Sequence, residues 1–572
     1  MKILKVLKST FIIITISVFV ISCEDFIDLQ PRDRISSDDY WKTAQDLENY
    51  VLQFYPEFPG HSGAGIVKED LNSDNVIRST PEAFINGERS TRTGNWRSEW
   101  KNVRDVNIFF DNYQKCEENF NAYKHFLGEA QFFRAWFYFG LLKTYGDIPW
   151  YSKSLLPDDE EELMKPRAPR TQIVDSILVD LDNAILNLDP KKKLGNLRIN
   201  KEAALALKSR VALYEGTWQK YHANTPFGTS GVNPNKYFQA CIVASQELIN
   251  GDYEVGIYET GNPERDYYEL FGLDNMSGVN EIILYRTYNA SDGFGNNVQH
   301  FTTNNTDELG VTWDLVSSYL NKNGKPYNYL STASTKKGND FLLAIAEDCD
   351  PRLKATIWIP GDLRADRFNS YFDKPWIDKS PLCPTGFQIK KTSNPYSPVA
   401  GGVWAEQSNT GYIIFRFGEV LLNYAEAKFE LDGTVAYDAL NLLRKRAGMP
   451  DFEINSQTND PNYFDYGYSI PDGLYEIRRE RRVELALEGK RQEDLMRWAA
   501  HNLFKDKRPL GYPFNPSEFP SYNPPLNENG LIDYMKNSLP NGYQFRENRD
   551  YLTSIPQDEL TLNPNLIQNP GW

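Results

Sequence analysis

A mainly α-helical chain, built from antiparallel helix pairs that carry long irregular loops and a few short β-strands, is the fold class that three observations predict. Apolar and small residues recur at helical spacing in paired segments, 201–216 with 236–250 and 413–431 with 435–447. The first member of each pair is studded with alanine and closes on Glu-Gly or Asp-Gly. From about 256 to 410 the helical period is lost, and short β-like runs lie among Asn, Gly, Pro and Ser. With 40% hydrophobic residues over 572 positions, the chain buries a sizeable core and is not disordered.

The elements follow in order. Lys2, Lys5 and Lys8 precede an apolar run from Phe11 to Ile21, too short to span a bilayer and matching the apolar part of an export signal. Val20-Ile21-Ser22-Cys23 resembles a bacterial lipobox, in which the cysteine is lipidated and becomes the first mature residue; an ordinary secretory signal with a chance cysteine is the competing reading. The expected organisation is a signal peptide at 1–22, a lipidated Cys23 with an acidic flexible leader to residue 39, and a single domain over 40–572. Two or more acyl chains on Cys23 suffice for stable membrane anchoring, which one does not.

Helical character runs from Tyr40 to about Phe54, after which 59–95 reads as loops. Further helices are predicted at 103–113 and at 127–145, the latter apolar on nearly all sides and stopped by Gly146. Asp158 to Glu162 is a solvated acidic loop, with no EF-hand spacing around it. Helices resume at 172–188, 201–216 and 236–250. Glu281 to Tyr288 is the clearest β-like run of the loop-rich insertion at 256–410. Helices return at 413–431, 435–447 and 473–499, and a Pro-, Asn- and Tyr-rich extended tail runs from 508 to 572. Pairing antiparallel helices through small residues is how tetratricopeptide arrays bury a face, and the pattern predicts a tetratricopeptide-like scaffold, about 40–255 and 410–500, carrying long loops.

Net charge is −16, and removing residues 1–22 takes away three lysines and no acid, leaving −19. That balance argues against nucleic-acid or anionic-lipid binding. Cys116, Cys241, Cys349 and Cys383 are widely spread without a C-x-x-C pair, the five histidines are isolated, and no zinc site, nucleotide loop or nucleophile elbow is visible; no cofactor or metal is expected. Glu476 to Glu493 alternates acids and bases at i, i+3 and i+4, a pattern that laces a helix with ion pairs.

Aromatics make up 14% of the chain. A non-catalytic sugar site needs flat apolar faces against the C–H side of a pyranose, with Asp, Asn and Arg beside them for the hydroxyls. The loops supply Asp74, Asn75 and Arg78, then Asn95 and Trp96, then Tyr285, Arg286 and Tyr288, and finally Trp358, Trp376 and Trp404. Trp100, Trp136 and Trp498 fall at core positions.

Several segments together resemble the SusD/RagB lipoproteins. These are Gly128 to Phe139 with Tyr145-Gly-Asp-Ile-Pro149, Gly310 to Tyr319 with Asn323-Gly324, Asp350 to Leu353, Phe415 to Ala427, Ile477 to Leu485, and the tail from Tyr551 to Gly571. In that tail, Asn563-Pro564 and Asn569-Pro570 pin an extended segment to the scaffold. The resemblance implies an outer-membrane lipoprotein on the cell surface that binds oligosaccharide and caps a SusC-like TonB-dependent transporter. It transfers no binding residue, because the family's ligand loops share no motif. A surface-anchored glycoside hydrolase, with a carboxylate pair about 5 or 6.5–9.5 Å apart, is the enzymatic alternative. An adhesive surface protein and a peptide-binding protein are the others.

Overall fold

The computed structural model describes residues 40–572 apart from 62–64, 92–94, 381 and 403–406. Helices α1 (Ala44–Leu52), α2 (Trp96–Asn112), α3 (Phe120–Tyr145), α4 (Arg170–Asn187), α5 (Lys201–Tyr221) and α6 (Asn235–Asn250) open the scaffold. Within the 256–410 insertion the helices are short, and α7 (Val298–Thr303) is the one that matters for the site. The scaffold resumes with α8 (Phe417–Asp432), α9 (Tyr437–Arg446), α10 (Asp472–Glu484) and α11 (Arg491–Arg497), and α12 (Gln557–Leu562) lies in the tail.

Packing runs in succession: α3 on α4, α4 on α5, α5 on α6, α6 on α8, and α8 on both α9 and α10. The mainly helical, tetratricopeptide-like expectation therefore holds. Local chemistry explains the elements. The Asn200 side chain caps α5 by accepting Ala203 N at 2.8 Å, and Gly146 (φ +73°) ends α3 while donating to Leu142 O. Gly216 lets α5 and α6 approach closely, since a Cβ there would lie 2.7 Å from Phe238 Cε1. One hydrophobic core extends from Trp41 to Ile555.

Among the described residues, three two-stranded antiparallel sheets accompany the helices. Strand β1 (Val76–Ile77) pairs with β3 (Gly310–Val311), β2 (Ile282–Arg286) with β6 (Tyr412–Arg416), and β4 (Leu363–Ala365) with β5 (Ser370–Tyr371).

Two expected helices change. The 413–431 segment begins as β6, with Arg416 opposite Ile282 and Tyr412 opposite Arg286, because its aromatic and β-branched start finds a partner edge in β2. The 473–499 helix breaks between α10 and α11, where Leu487 (φ +62°) and Gly489 (φ +69°) are left-handed. Groups from elsewhere take its backbone: Leu487 N donates to Asp70 Oδ2 at 2.9 Å, and Lys391 Nζ donates to Ala486 O at 2.7 Å.

The charged segment inside this region is not a solvated face. Every residue from Gly473 to Glu484 is buried, and most of its charges pair with distant parts of the chain. Glu484 lies 2.9 Å from Arg352, 2.8 Å from Arg416, and in contact with Arg446. Burial disfavours its ionised form, yet these three guanidiniums hold its carboxyl below the ordinary range. The tail is pinned as its asparagines imply, although it also forms α12. Asn563 Nδ2 donates to Leu163 O and Lys165 O, and Asn569 Nδ2 to Tyr145 O and Thr553 O. Cys116, Cys241, Cys349 and Cys383 are free thiols, the last three buried.

Candidate ligand-binding face

Loops from separate parts of the chain converge on α7. Lys68 pairs with Asp307 and places its ammonium 5.6 Å from the Phe301 ring centroid, and Arg78 Nη2 is 3.7 Å from Asp307 Oδ2. Asp307 and Glu308 both hold positive φ, turning their carboxylates toward the 68–79 loop, where Ser79 donates to Glu308. On the same loop system, Tyr288 accepts a hydrogen bond from His61 N at 2.6 Å, and Arg286 donates to Phe58 O at 3.1 Å. Burial pushes the His61 imidazole down to about 4, so it is neutral near pH 7 and its Nε2 bonds Gly411 O.

Beneath α7, Trp358 Nε1 donates to Thr302 O at 2.9 Å, and its ring stacks on Phe372. Arg364, only 5% exposed, sits 5.5 Å from the Trp358 ring centroid, 5.7 Å from Phe372 and 4.6 Å from Trp376. Trp376 is half-buried and also carries the Lys379 ammonium at 4.1 Å. Arg364 Nε and Nη2 are sealed without an acceptor, and such donors cost about 1–3 kcal/mol each when left unmade. Burial lowers the Arg364 pKa to about 10, which leaves it charged at neutral pH.

The structure thus sets Trp358 on α7 with Trp376 beside it across Arg364, Arg78 on Asp307 just beyond α7, and Tyr288 on His61, but only three of the four present surface. Trp358 is buried, as is Tyr285, while Arg78, Tyr288 and Trp376 are partly exposed. Asp74 and Asn75 correct the expectation of free hydrogen-bonding groups. Asp74 Oδ1 and Oδ2 accept from Arg491 at 2.6 and 2.8 Å, with Arg482 3.0 Å from Oδ2, and Asn75 is held between Arg482 and Asp70. They anchor the scaffold because a polar residue beside buried arginines is drawn inward to neutralise them.

Asn95 and Trp96 also depart from the group. Asn95 is exposed at the start of α2, while Trp96 is buried with its ring 4.8 Å from Tyr145. Trp96 borders a separate, largely apolar cleft of about 610 Å³ between α2 and the C-terminal tail. Trp404 and Cys23 lie outside the described residues. Gly402, two positions before Trp404, is tied to α7 through His300 Nδ1 at 2.8 Å and Asn304 Nδ2 at 3.2 Å.

Comparison with known proteins places this arrangement. Residues 280–572 match the SusD family, and residues 25–213 match a family described as starch-binding and associating with the outer membrane. The chain belongs to the SusD family. SusD-like protein P2 of Formosa agariphila is 24% identical over the full length of both chains. A SusD-like carbohydrate-binding protein from Bacteroides fragilis shares the fold with a TM-score of 0.71 at 22% identity, covering 92% of this chain and 100% of its own. A further structure, solved with xylogluco-oligosaccharide, aligns with a TM-score of 0.60 at 16% identity over 91% of this chain and 97% of its own.

In this SusD-family chain, the residues of the candidate face that sequence reasoning missed are Lys68, Phe301, Asp307, Arg364 and Lys379. One signal pointed to part of them. Between 352 and 392 the sequence holds eight Lys or Arg against four Asp and no Glu, a basic stretch in an acidic chain. Among the described residues, no cluster of His, Cys, Asp and Glu is arranged to hold a metal ion, and no helix is long and apolar enough to cross a membrane. Chemically, the face offers half-exposed rings beside cationic donors, a combination suited to gripping a polar ligand with apolar ring faces.

Proposed function

We propose that this protein is a non-catalytic glycan-binding lipoprotein of the outer-membrane surface, anchored through Cys23, which captures oligosaccharides and delivers them to a SusC-like TonB-dependent transporter. What carries the reading is family membership together with the convergence of loop aromatics and charges on α7, above a scaffold whose own charges are consumed by one another. The xylogluco-oligosaccharide held by a protein of the same fold and the carbohydrate-binding description of another support a glycan ligand. Arg78, Tyr288, Trp376 and Trp404 are the proposed contact residues; Asp74, Asn75 and Trp358 support them from within, Trp96 borders the second cleft, and Asn95 is exposed beside it at the start of α2.

Affinity electrophoresis against a broad polysaccharide panel tests this. The expected result is retardation by at least one polysaccharide without release of reducing ends, weakened in Trp376→Ala or Trp404→Ala. Release of reducing ends from the bound glycan would establish the hydrolase instead. Co-purification of a β-barrel transporter with the membrane-anchored chain tests the delivery step.

A further inference from the structure

The unexplained feature of the α7 face is a group of cations that no described carboxylate contacts directly. Arg364 and Lys379 lie over the Trp376 ring with Lys374 close enough to act on Lys379, and none of the three forms an ion pair with a described carboxylate. Lys374 is satisfied by Glu518 O at 2.6 Å and by the Phe519 ring at 4.3 Å, which neutralise no charge. Asp373 and Asp378, on the same loop, are exposed. Partial burial, Arg364 and Lys374 push the Lys379 pKa down, while Asp378 and Asp373 act against them without reversing the shift.

Donors are left over as well. Arg364 Nε and Nη2 are buried without an acceptor, and so is Nε2 of Gln388, whose Oε1 faces Trp376 N at 3.4 Å. Elsewhere in this molecule buried arginines are matched: Arg352, Arg416, Arg446, Arg491 and Arg497 each meet one or more carboxylates. A protein that pairs its interior guanidiniums so consistently, yet leaves Arg364 with two unused donors beside two further cations, has the electrostatics of an anion receptor.

We propose that Arg364, Lys379 and Lys374, assisted by Gln388, recognise an acidic substituent, a carboxylate or a sulfate ester, on the captured glycan. Lys379 meets the anion at the surface, and movement of the half-exposed Trp376 ring, 4.6 Å from Arg364, opens the sealed Arg364 donors to the acceptors that the fold withholds. This rests on the glycan-binding reading and narrows it to acidic polysaccharides, against the chain's own overall negative charge.

Isothermal titration calorimetry with two matched pairs tests it: polygalacturonate against its carboxyl-reduced form, and dextran sulfate against dextran. Tighter binding of an acidic member than of its neutral partner is expected, weakening with added salt, and the pair that responds distinguishes carboxylate from sulfate. Affinity for that acidic glycan should fall about tenfold or more in Arg364→Met and about threefold in the surface variant Lys379→Met, which carries the test if Arg364→Met fails to fold. Lys193→Met, remote in sequence and paired to Asp189, should change nothing. Equal binding of acidic and neutral members would overturn the inference and leave the glycan reading standing. Loss of affinity in Lys193→Met equal to that in Lys379→Met would also overturn it, as diffuse electrostatics. If neither pair binds while another neutral polysaccharide of the panel does, the inference fails and glycan capture survives; if no polysaccharide binds, both fail.

Discussion

Asp74 shows how much of this molecule rests on single buried ion pairs. Burial works against its ionised form, but Arg482 and Arg491 hold its pKa down at about 2, against 3.8 for the free side chain. A carboxylate whose pKa is depressed by folding contributes stability above its unfolded pKa and loses that contribution as pH falls toward the folded value. Asp74 therefore stabilises the protein at neutral pH by about 2 kcal/mol, a contribution that disappears between roughly pH 4 and pH 2. Asp74→Asn should cost about 3–5 kcal/mol at pH 7, because it strands two buried guanidiniums. Urea unfolding at pH 7 and at pH 3 measures both effects, and the cost of the substitution should shrink at the lower pH. At the ligand face the expectation differs: Trp376→Ala should weaken glycan binding with little change in the unfolding midpoint, since its ring is partly in solvent and its neighbours are cations.

At the scale of elements, close helix approach and tail docking are the vulnerable features. Gly216→Leu forces a side chain into the space of Phe238 between α5 and α6, and an overpacked interface of this kind costs about 1–3 kcal/mol. Thermal unfolding should report a lowered midpoint for Gly216→Leu, and an unchanged one would show that α6 can slide away. Asn569→Ala removes donors from Tyr145 O and Thr553 O and an acceptor from Arg167, which should loosen the tail by about 1–3 kcal/mol. Faster proteolysis of the C-terminal segment, with the α3–α6 scaffold still protected, is the expected readout.

For the whole molecule, the proposed function divides the work between the leader and the folded body. Cys23→Ala should leave folding and sugar binding intact while abolishing stable membrane attachment, as fractionation of cells expressing the variant would show. An intact membrane signal would remove the anchor from the proposed function without touching the glycan site. Because the scaffold helices form a continuous core from Trp41 to Ile555, loops around α7 can vary in sequence without loss of the fold, which separates ligand choice from stability.

Periodicity alone determined most helices of this scaffold. The apolar stretch of α3, the alanine-rich faces of α5 and α8, and the stop at Gly146 are local facts, set by side chains three and four positions apart. The asparagine–proline pairs of the tail are legible as local chemistry too, since proline bars the interior of a helix and asparagine favours the turn before it. Tertiary structure alone decided which charges face inward. The Arg-rich stretch of α10 reads as ion pairs within one helix, yet the carboxylates that neutralise it include Asp74, Glu426 and Glu430, outside that helix and brought near only by folding. The same holds for the site. Asp74 and Asn75 looked like ligand groups until Arg482 and Arg491 claimed them, and Arg364 looked ordinary until the fold left it without a partner. Burial and pairing depend on residues hundreds of positions apart, so no local pattern in the sequence records them.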